Sequence, residues 1–306
     1  MGWRLIKHAS IRTCAALVLL GLLVVVPRSL FAADWVDFNS AGTPPTPFQL
    51  KRAKAKGIEL KPEPGAPLRG LLFRPKGQGP FPAVVLLHGC RGIQAYQQDW
   101  AVELAGWGYV ALLVDSFEPR RAENMCAIDK ANTGEWYRVV GAQVPDAVGA
   151  RAHLTTLPFV DANRIAVMGW AQDAVLGVVF EAGVGQLYDA KFQAAVAFYS
   201  DCRGNMSGRF SAPALMLIGD KDDARRPDYC DRTAVASKGS SALAELKLYP
   251  GAHHGFDDPQ VGKRFYLEDA WNTYRNPPRG ITFGYSSTAH EDALKRVNEF
   301  LAKHLK

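Results

Sequence analysis

Cysteine is scarce in this chain, five in 306 residues, and no two of them stand as Cys-x-x-Cys. That spacing serves zinc ribbons and dithiol redox centres, so neither is suggested. A membrane-length apolar run is also lacking. The run from Cys14 to Val26 has 13 residues, short of the roughly 20 that cross a bilayer as a helix. It follows Arg4, Lys7 and Arg12 and precedes the small residues of Ser29-Leu-Phe-Ala-Ala33. Residues 1–33 therefore read as a secretory signal, with an uncleaved N-terminal anchor as the alternative. The third absence is a surplus of charge. The formal charge is +6, but Arg4, Lys7, Arg12 and Arg28 lie in the signal without any acid, and removing them leaves +2. A near-neutral mature chain gives a nucleic-acid partner no electrostatic support. The cluster Lys51-Arg-Ala-Lys-Ala-Lys56 reads as a solvated surface segment. A membrane enters only through an uncleaved N-terminal segment.

What is present is an alternation. Residues 34–66 are polar and rich in Pro and Gly, a lead-in with one or two edge strands. From 67 to 306 strand-like and helix-like segments take turns, with neither repeat nor linker. Strands are expected at Leu68–Phe73, Ala83–Leu87, Tyr109–Val114, Arg164–Met168, Ala194–Tyr199, Ala214–Ile218 and Ala244–Tyr249. Helices are expected at Gln97–Gly106, Gln143–Leu157, Gln172–Val184, Tyr229–Ser237 and Ala289–His304. The pattern predicts an α/β fold, a mostly parallel central sheet with helices on both faces. The strands are continuous apolar runs, as expected when both faces are covered.

In such sheets the ligand lies beyond the carboxyl ends of the strands. Four segments there carry chemistry. Leu87-His-Gly-Cys-Arg-Gly92 is a glycine-rich loop whose amides can donate to an oxyanion. Ile165-Ala-Val-Met-Gly-Trp-Ala-Gln-Asp-Ala174 has the grammar of a nucleophile elbow, where a strand turns sharply into a helix. At its centre a working elbow has Ser, Cys or Asp; here Ala171 stands there, with no lone pair to attack with. Asp173 occupies the position where glycine is usual, while Gln172 would supply an oxyanion amide. Leu217-Ile-Gly-Asp-Lys-Asp-Asp223 offers the acid of a triad, Asp222 first, with Asp220 and Asp223 as rivals. Tyr249-Pro-Gly-Ala-His-His-Gly-Phe256 offers the histidine, His254 before His253. An export signal leaves an even number of cysteines: Cys90, Cys126, Cys202 and Cys230. Of three connectivities, Cys90–Cys126 and Cys202–Cys230 join neighbouring loops at this sheet edge. The alternative is four buried thiols.

These motifs together resemble the dienelactone hydrolase family of α/β hydrolases, whose elbow–acid–histidine order they follow. The resemblance spans roughly residues 66–304. It rests on His88-Gly-Cys-Arg-Gly92, Val114-Asp-Ser-Phe-Glu-Pro-Arg120, Val160-Asp-Ala-Asn-Arg-Ile-Ala-Val-Met-Gly-Trp170, Gly219-Asp-Lys-Asp222 and the histidine loop. It implies an ester or lactone hydrolase fold without metal or cofactor. It carries over Asp222 and His254 as acid and histidine, and the amides of Cys90 and Gln172 as oxyanion donors. The nucleophile carries over only as the position of Ala171. The family's glutamate after the first histidine is also missing; Gly89 stands there. The family name therefore does not name a substrate. Arg120 and Arg121 are candidates to meet an anionic group, and Trp136 and Tyr137 to wall the pocket; each also has a structural reading.

Three functional readings follow. The chain is a degenerate hydrolase that binds a small ester, lactone or carboxylate. Or it hydrolyses by a relocated route, with His254 as general base on a water above Ala171; Cys90 and Ser200 come behind water as substitute nucleophiles. Or it is a non-catalytic envelope interaction protein. All three place it outside the cytoplasm, periplasmic or secreted.

Overall fold

The longest buried apolar runs form the middle of one sheet. The computed structural model describes residues 33–45, 47–127, 133–181, 184–188, 190–205, 207–240 and 242–306. The expected signal, residues 1–33, lies outside them apart from Ala33. The strands β1 (Ala33–Asn39), β2 (Pro67–Phe73), β3 (Phe81–Leu87), β4 (Val110–Asp115), β5 (Val160–Trp170), β6 (Ala195–Phe198), β7 (Ala214–Gly219) and β8 (Ala244–Tyr249) form an eight-stranded sheet. Their order is β1-β2-β4-β3-β5-β6-β7-β8. From β4 to β8 all neighbours are parallel; β1 and β2 add an antiparallel edge. Consecutive residues of β3, Val84, Val85 and Leu86, are all fully buried. Since successive side chains point to opposite faces, both faces are covered.

The covering helices are α2 (Ala95–Gly106), α4 (Gln143–Thr155), α5 (Ala174–Val179), α6 (Pro227–Ser237) and α7 (Ser287–Leu305). Helix α7 buries Ala289, Ala293, Val297, Phe300 and Leu301, one helical stripe. Trp100 of α2 lies 5.8 Å from His290 of α7, so these two share a face. Helix α4 packs on α5 and on β1, β3 and β5. Among the described residues no helix is long and apolar enough to cross a membrane.

Several elements depart from the sequence reading. Helix α5 is much shorter than Gln172–Val184. A Cβ at Gly185 would lie 2.5 Å from the Val178 carbonyl oxygen, so the chain folds back onto the helix there. Phe180 leaves the helix to bridge Phe210. Helices α1 (Pro47–Ala55) and α3 (Thr133–Val140) are additions. So is a hairpin, β9 (Phe265–Trp271) with β10 (Arg279–Phe283), inserted between the histidine loop and α7.

Candidate active site

The loops that carry His88, Ala171, Asp222 and His254 follow strands β3, β5, β7 and β8. After β3, His88 is fully buried. Its Nε2 accepts from the Ser116 amide at 3.2 Å, and its Nδ1 faces the Gly89 carbonyl at 2.8 Å. An amide nitrogen can only donate, so Nδ1 carries the proton and the ring is neutral. Burial lowers its pKa in the same direction. His88 thereby fixes the glycine-rich loop rather than facing a ligand. At Gly89 a Cβ would lie 3.7 Å from that of Ala171, so this loop rests directly on the elbow.

The elbow follows β5. A Cβ on Gly169 would come within 2.7 Å of Val175 Cγ2 and 2.8 Å of the Leu87 carbonyl oxygen, so only glycine fits. Ala171 has φ 64°, the left-handed region that residues with a Cβ avoid. Its amide donates to the Phe198 carbonyl at 3.0 Å, and Arg225 Nε donates to its carbonyl at 2.9 Å. The Gln172 amide donates back to the Trp170 carbonyl at 2.7 Å. That closes a three-residue turn and commits the amide expected to serve an oxyanion. Ser200 is buried, with its hydroxyl donating to the Gln172 carbonyl.

The loops after β7 and β8 meet over the elbow. His254 Nδ1 lies 2.9 Å from Asp222 Oδ2, and both side chains are buried. Asp222 Oδ1 accepts the amides of Ala224 and Arg225 at 2.9 and 2.8 Å. Of the rival acids, Asp220 accepts the Gly251 amide and Asp223 is tied to the hairpin. His253 turns to the Lys221 carbonyl instead. Behind His254, at 4.5 Å, lies the ring of Tyr199, whose φ of 36° is also left-handed. The Tyr199 hydroxyl donates to Asp257, a fully buried carboxyl that also accepts the indole N–H groups of Trp100 and Trp170.

Between these loops and the hairpin opens a cavity of about 250 Å³. Cys90, Ala171 and His254 line it, and the charged lining is balanced, Asp173 and Asp201 against Arg203 and Arg225, with Arg203 paired to Asp201 at 2.8 Å. Trp271, Ile281 and Phe283 of the hairpin and Trp136 of α3 wall it. A smaller cavity of about 30 Å³ adjoins Gly89, Gln97, Ala171, Tyr199 and His254. Cys90 is bonded to Cys126, with Cα atoms 4.9 Å apart, and Cys202 to Cys230, at 5.0 Å. The first bridge lines the main cavity. The Asp173 carboxyl is pushed up by desolvation and then by the charge of Asp201, with the charge of Arg225 opposing. Burial alone would raise Asp201 as well. The charge of Arg225 and bonds from the Arg203 amide and the Tyr274 hydroxyl outweigh burial and hold it below the usual range.

Arg120 does not reach the cavity. It forms a bidentate pair with the buried Asp146, at 2.8 and 2.7 Å, and also donates to the Ser116 carbonyl. The structure thus brings together Ala171, Asp222, His254, Cys90 and Trp136. The side chain of Tyr137 lies outside the described set. The pocket arginines, Arg203 and Arg225, are additions to the sequence reading. Arg225 follows Asp222 by three residues and Arg203 stands on the loop after β6, so their places at strand ends were the available clue.

A sequence model of the dienelactone hydrolase family matches residues 68–305. The chain belongs to that family. Within the dienelactone hydrolase family it is 23% identical over 209 residues to a Bradyrhizobium protein named for 2-oxo-3-(5-oxofuran-2-ylidene)propanoate lactonase activity, covering 66% of this chain and 84% of that one. It is 24% identical over 230 residues to a Yersinia pestis protein named as a carboxymethylenebutenolidase, covering 68% and 83%. Among solved structures, a dienelactone hydrolase-like promiscuous phosphotriesterase from metagenomic libraries superposes with a TM-score of 0.62 at 18% identity, covering 90% of this chain and 99% of that one. The likeness establishes the α/β-hydrolase fold.

Proposed function

We propose that this dienelactone hydrolase-family protein binds small esters, lactones or carboxylates and has lost the family's covalent route at Ala171. One observation carries the reading: a buried Asp222–His254 pair, bonded at 2.9 Å, opens on an unfilled cavity floored by Ala171. A methyl group cannot form an acyl-enzyme. His254, oriented by Asp222 and with Nδ1 committed, offers Nε2 as general base to a water above that methyl. Arg203 and Arg225 stand on the cavity wall beside Asp173 and Asp201, so the lining offers hydrogen-bond donors to a ligand carbonyl with its charges balanced. In subtilisin, loss of the nucleophilic serine costs about 10⁶-fold in kcat, or about 8 kcal/mol of barrier, so turnover here is slow. A second reading, ligand binding without turnover, draws on the commitment of the Gln172 amide to Trp170. Two disulfides are compatible with export, and the working compartment we infer is periplasmic or extracellular.

The test is hydrolysis of p-nitrophenyl acetate by the wild type, His254→Ala and Ala171→Ser. We expect slow wild-type turnover that falls in His254→Ala, and a gain of about 10²-fold or more in Ala171→Ser once His254 has a hydroxyl to activate. A folded but inert Ala171→Ser variant, with wild-type rates indifferent to His254, overturns the reading.

A further inference from the structure

We propose that the Cys90–Cys126 disulfide is a masked nucleophile: reduction frees a Cys90 thiol that takes the role Ala171 cannot fill, with His254 as its base. The proposal rests on the pocket and dyad reading above. Four observations carry it. Cys90, Ala171 and His254 line both cavities of the site together. A Cβ built on Gly89, the residue before Cys90, would lie 3.7 Å from the Ala171 methyl, so the loop that carries Cys90 passes beside the elbow. The two bridges also differ in access. Cys90 is partly exposed and its bridge lines the open cavity, whereas Cys202 and Cys230 are each 1% exposed. A mild dithiol therefore reaches the first bridge before the second. Finally, the loops do not depend on the bridge alone. The Met125 amide donates to the Cys90 carbonyl and the Trp271 amide to the Cys126 carbonyl, both at 2.7 Å. After reduction these bonds still hold the two loops together, and Cys90 stays on the cavity wall that His254 shares.

The chemistry balances with a dithiol as reductant. The dithiol gives two electrons and two protons to the bridge, becoming a disulfide and leaving Cys90 and Cys126 as thiols. His254 takes the Cys90 proton. The thiolate attacks the ester carbonyl carbon; a C–S bond forms and the C–O bond to the alcohol breaks. The leaving alkoxide takes the proton from His254. A water, deprotonated by His254, then attacks the thioester; the C–S bond breaks and releases the carboxylic acid. The Cys90 thiolate takes back the proton that His254 removed from the water, which restores the thiol and the neutral imidazole.

The experiment compares p-nitrophenyl acetate hydrolysis by oxidised wild type, Cys126→Ser and the double variant Cys90→Ser with Cys126→Ser, all without reductant. We expect Cys126→Ser to exceed oxidised wild type by about 10²-fold, in the range that a positioned base contributes. We expect the double variant to fall back to the wild-type rate. A Cys126→Ser rate equal to wild type overturns the proposal. So does a gain that survives in the double variant, since loop loosening alone would then explain it. If Cys126→Ser does not fold, wild type reduced with dithiothreitol and desalted gives the same readout. Its gain must appear and must be abolished by iodoacetamide; no gain overturns the proposal. Ala171→Ser separates the two readings. If it is active while freed Cys90 is not, only the masked nucleophile falls; if both are folded and inert, the dyad reading falls as well.

Discussion

Ala171 holds a left-handed backbone turn between β5 and α5. A φ of 64° is costly for any residue with a Cβ, by roughly 1–2 kcal/mol. The bonds to Phe198 and Arg225 hold it there. The same logic of fixed, buried groups makes His88 a pH-dependent residue. Its pKa is lowered by burial from 6.5, so the unfolded chain binds more protons than the native one below that value. Native stability contributed by His88 is therefore present above pH 6.5 and lost as pH falls below it, by at most about 1.4 kcal/mol per pH unit. Chemical denaturation at pH 7 and pH 5 checks this. The wild type is expected to lose more stability over that interval than His88→Gln, which starts less stable and responds less. Equal pH responses would refute a neutral, buried His88. Asp222 and His254 were legible in the sequence because strand-end position is visible there. The spent amide of Gln172 was not, since it depends on a backbone angle that the side chain does not encode.

Among the elements, the hairpin was the least legible. Most of β9 is exposed, including Phe265, Tyr266 and Leu267, so no buried stripe marks it. It is held from outside. Asp223 accepts the Thr282 amide at 2.8 Å and hydroxyl at 2.7 Å and pairs with Arg275 at 2.6 Å. Asn272 donates to the Asp223 carbonyl at 2.7 Å. By contrast β3, β4 and β7 were legible because unbroken Val, Leu, Ile and Ala runs suit a strand covered on both faces. Asp222 thus orients the histidine while its neighbour secures the roof of the same cavity. Asp223→Ala should free the hairpin and leave the sheet folded. Losing charge-assisted bonds worth about 1.5–3 kcal/mol is expected to raise hydrogen exchange in residues 265–283 by about tenfold or more. Unchanged exchange there would mean that Asp223 is not the anchor.

At the scale of the whole molecule, the parallel sheet brings loops distant in sequence to one edge, and the disulfides bind those loops in pairs. The bridges close segments of 36 and 28 residues, each worth about 3.5 kcal/mol on a chain-entropy basis. Because Cys202 and Cys230 are buried, reduction under native conditions should cost the protein only the first bridge. Thermal unfolding with mild dithiol is expected to show one intermediate loss of stability, and full reduction after denaturation a second. Simultaneous loss of both under native conditions would contradict the burial. The pairing was legible from the loops that the sheet order makes neighbours; the pocket arginines were not, because an arginine facing a cavity and one facing solvent look alike in sequence. Asp257 adds a last consequence. It stands three residues beyond His254 and is the shared acceptor of two indoles, Trp100 and Trp170. Any displacement of the histidine loop that carries Asp257 must alter both hydrogen bonds at once. The position of the histidine loop is thus coupled to two indoles of the core, one on α2 and one at the end of β5.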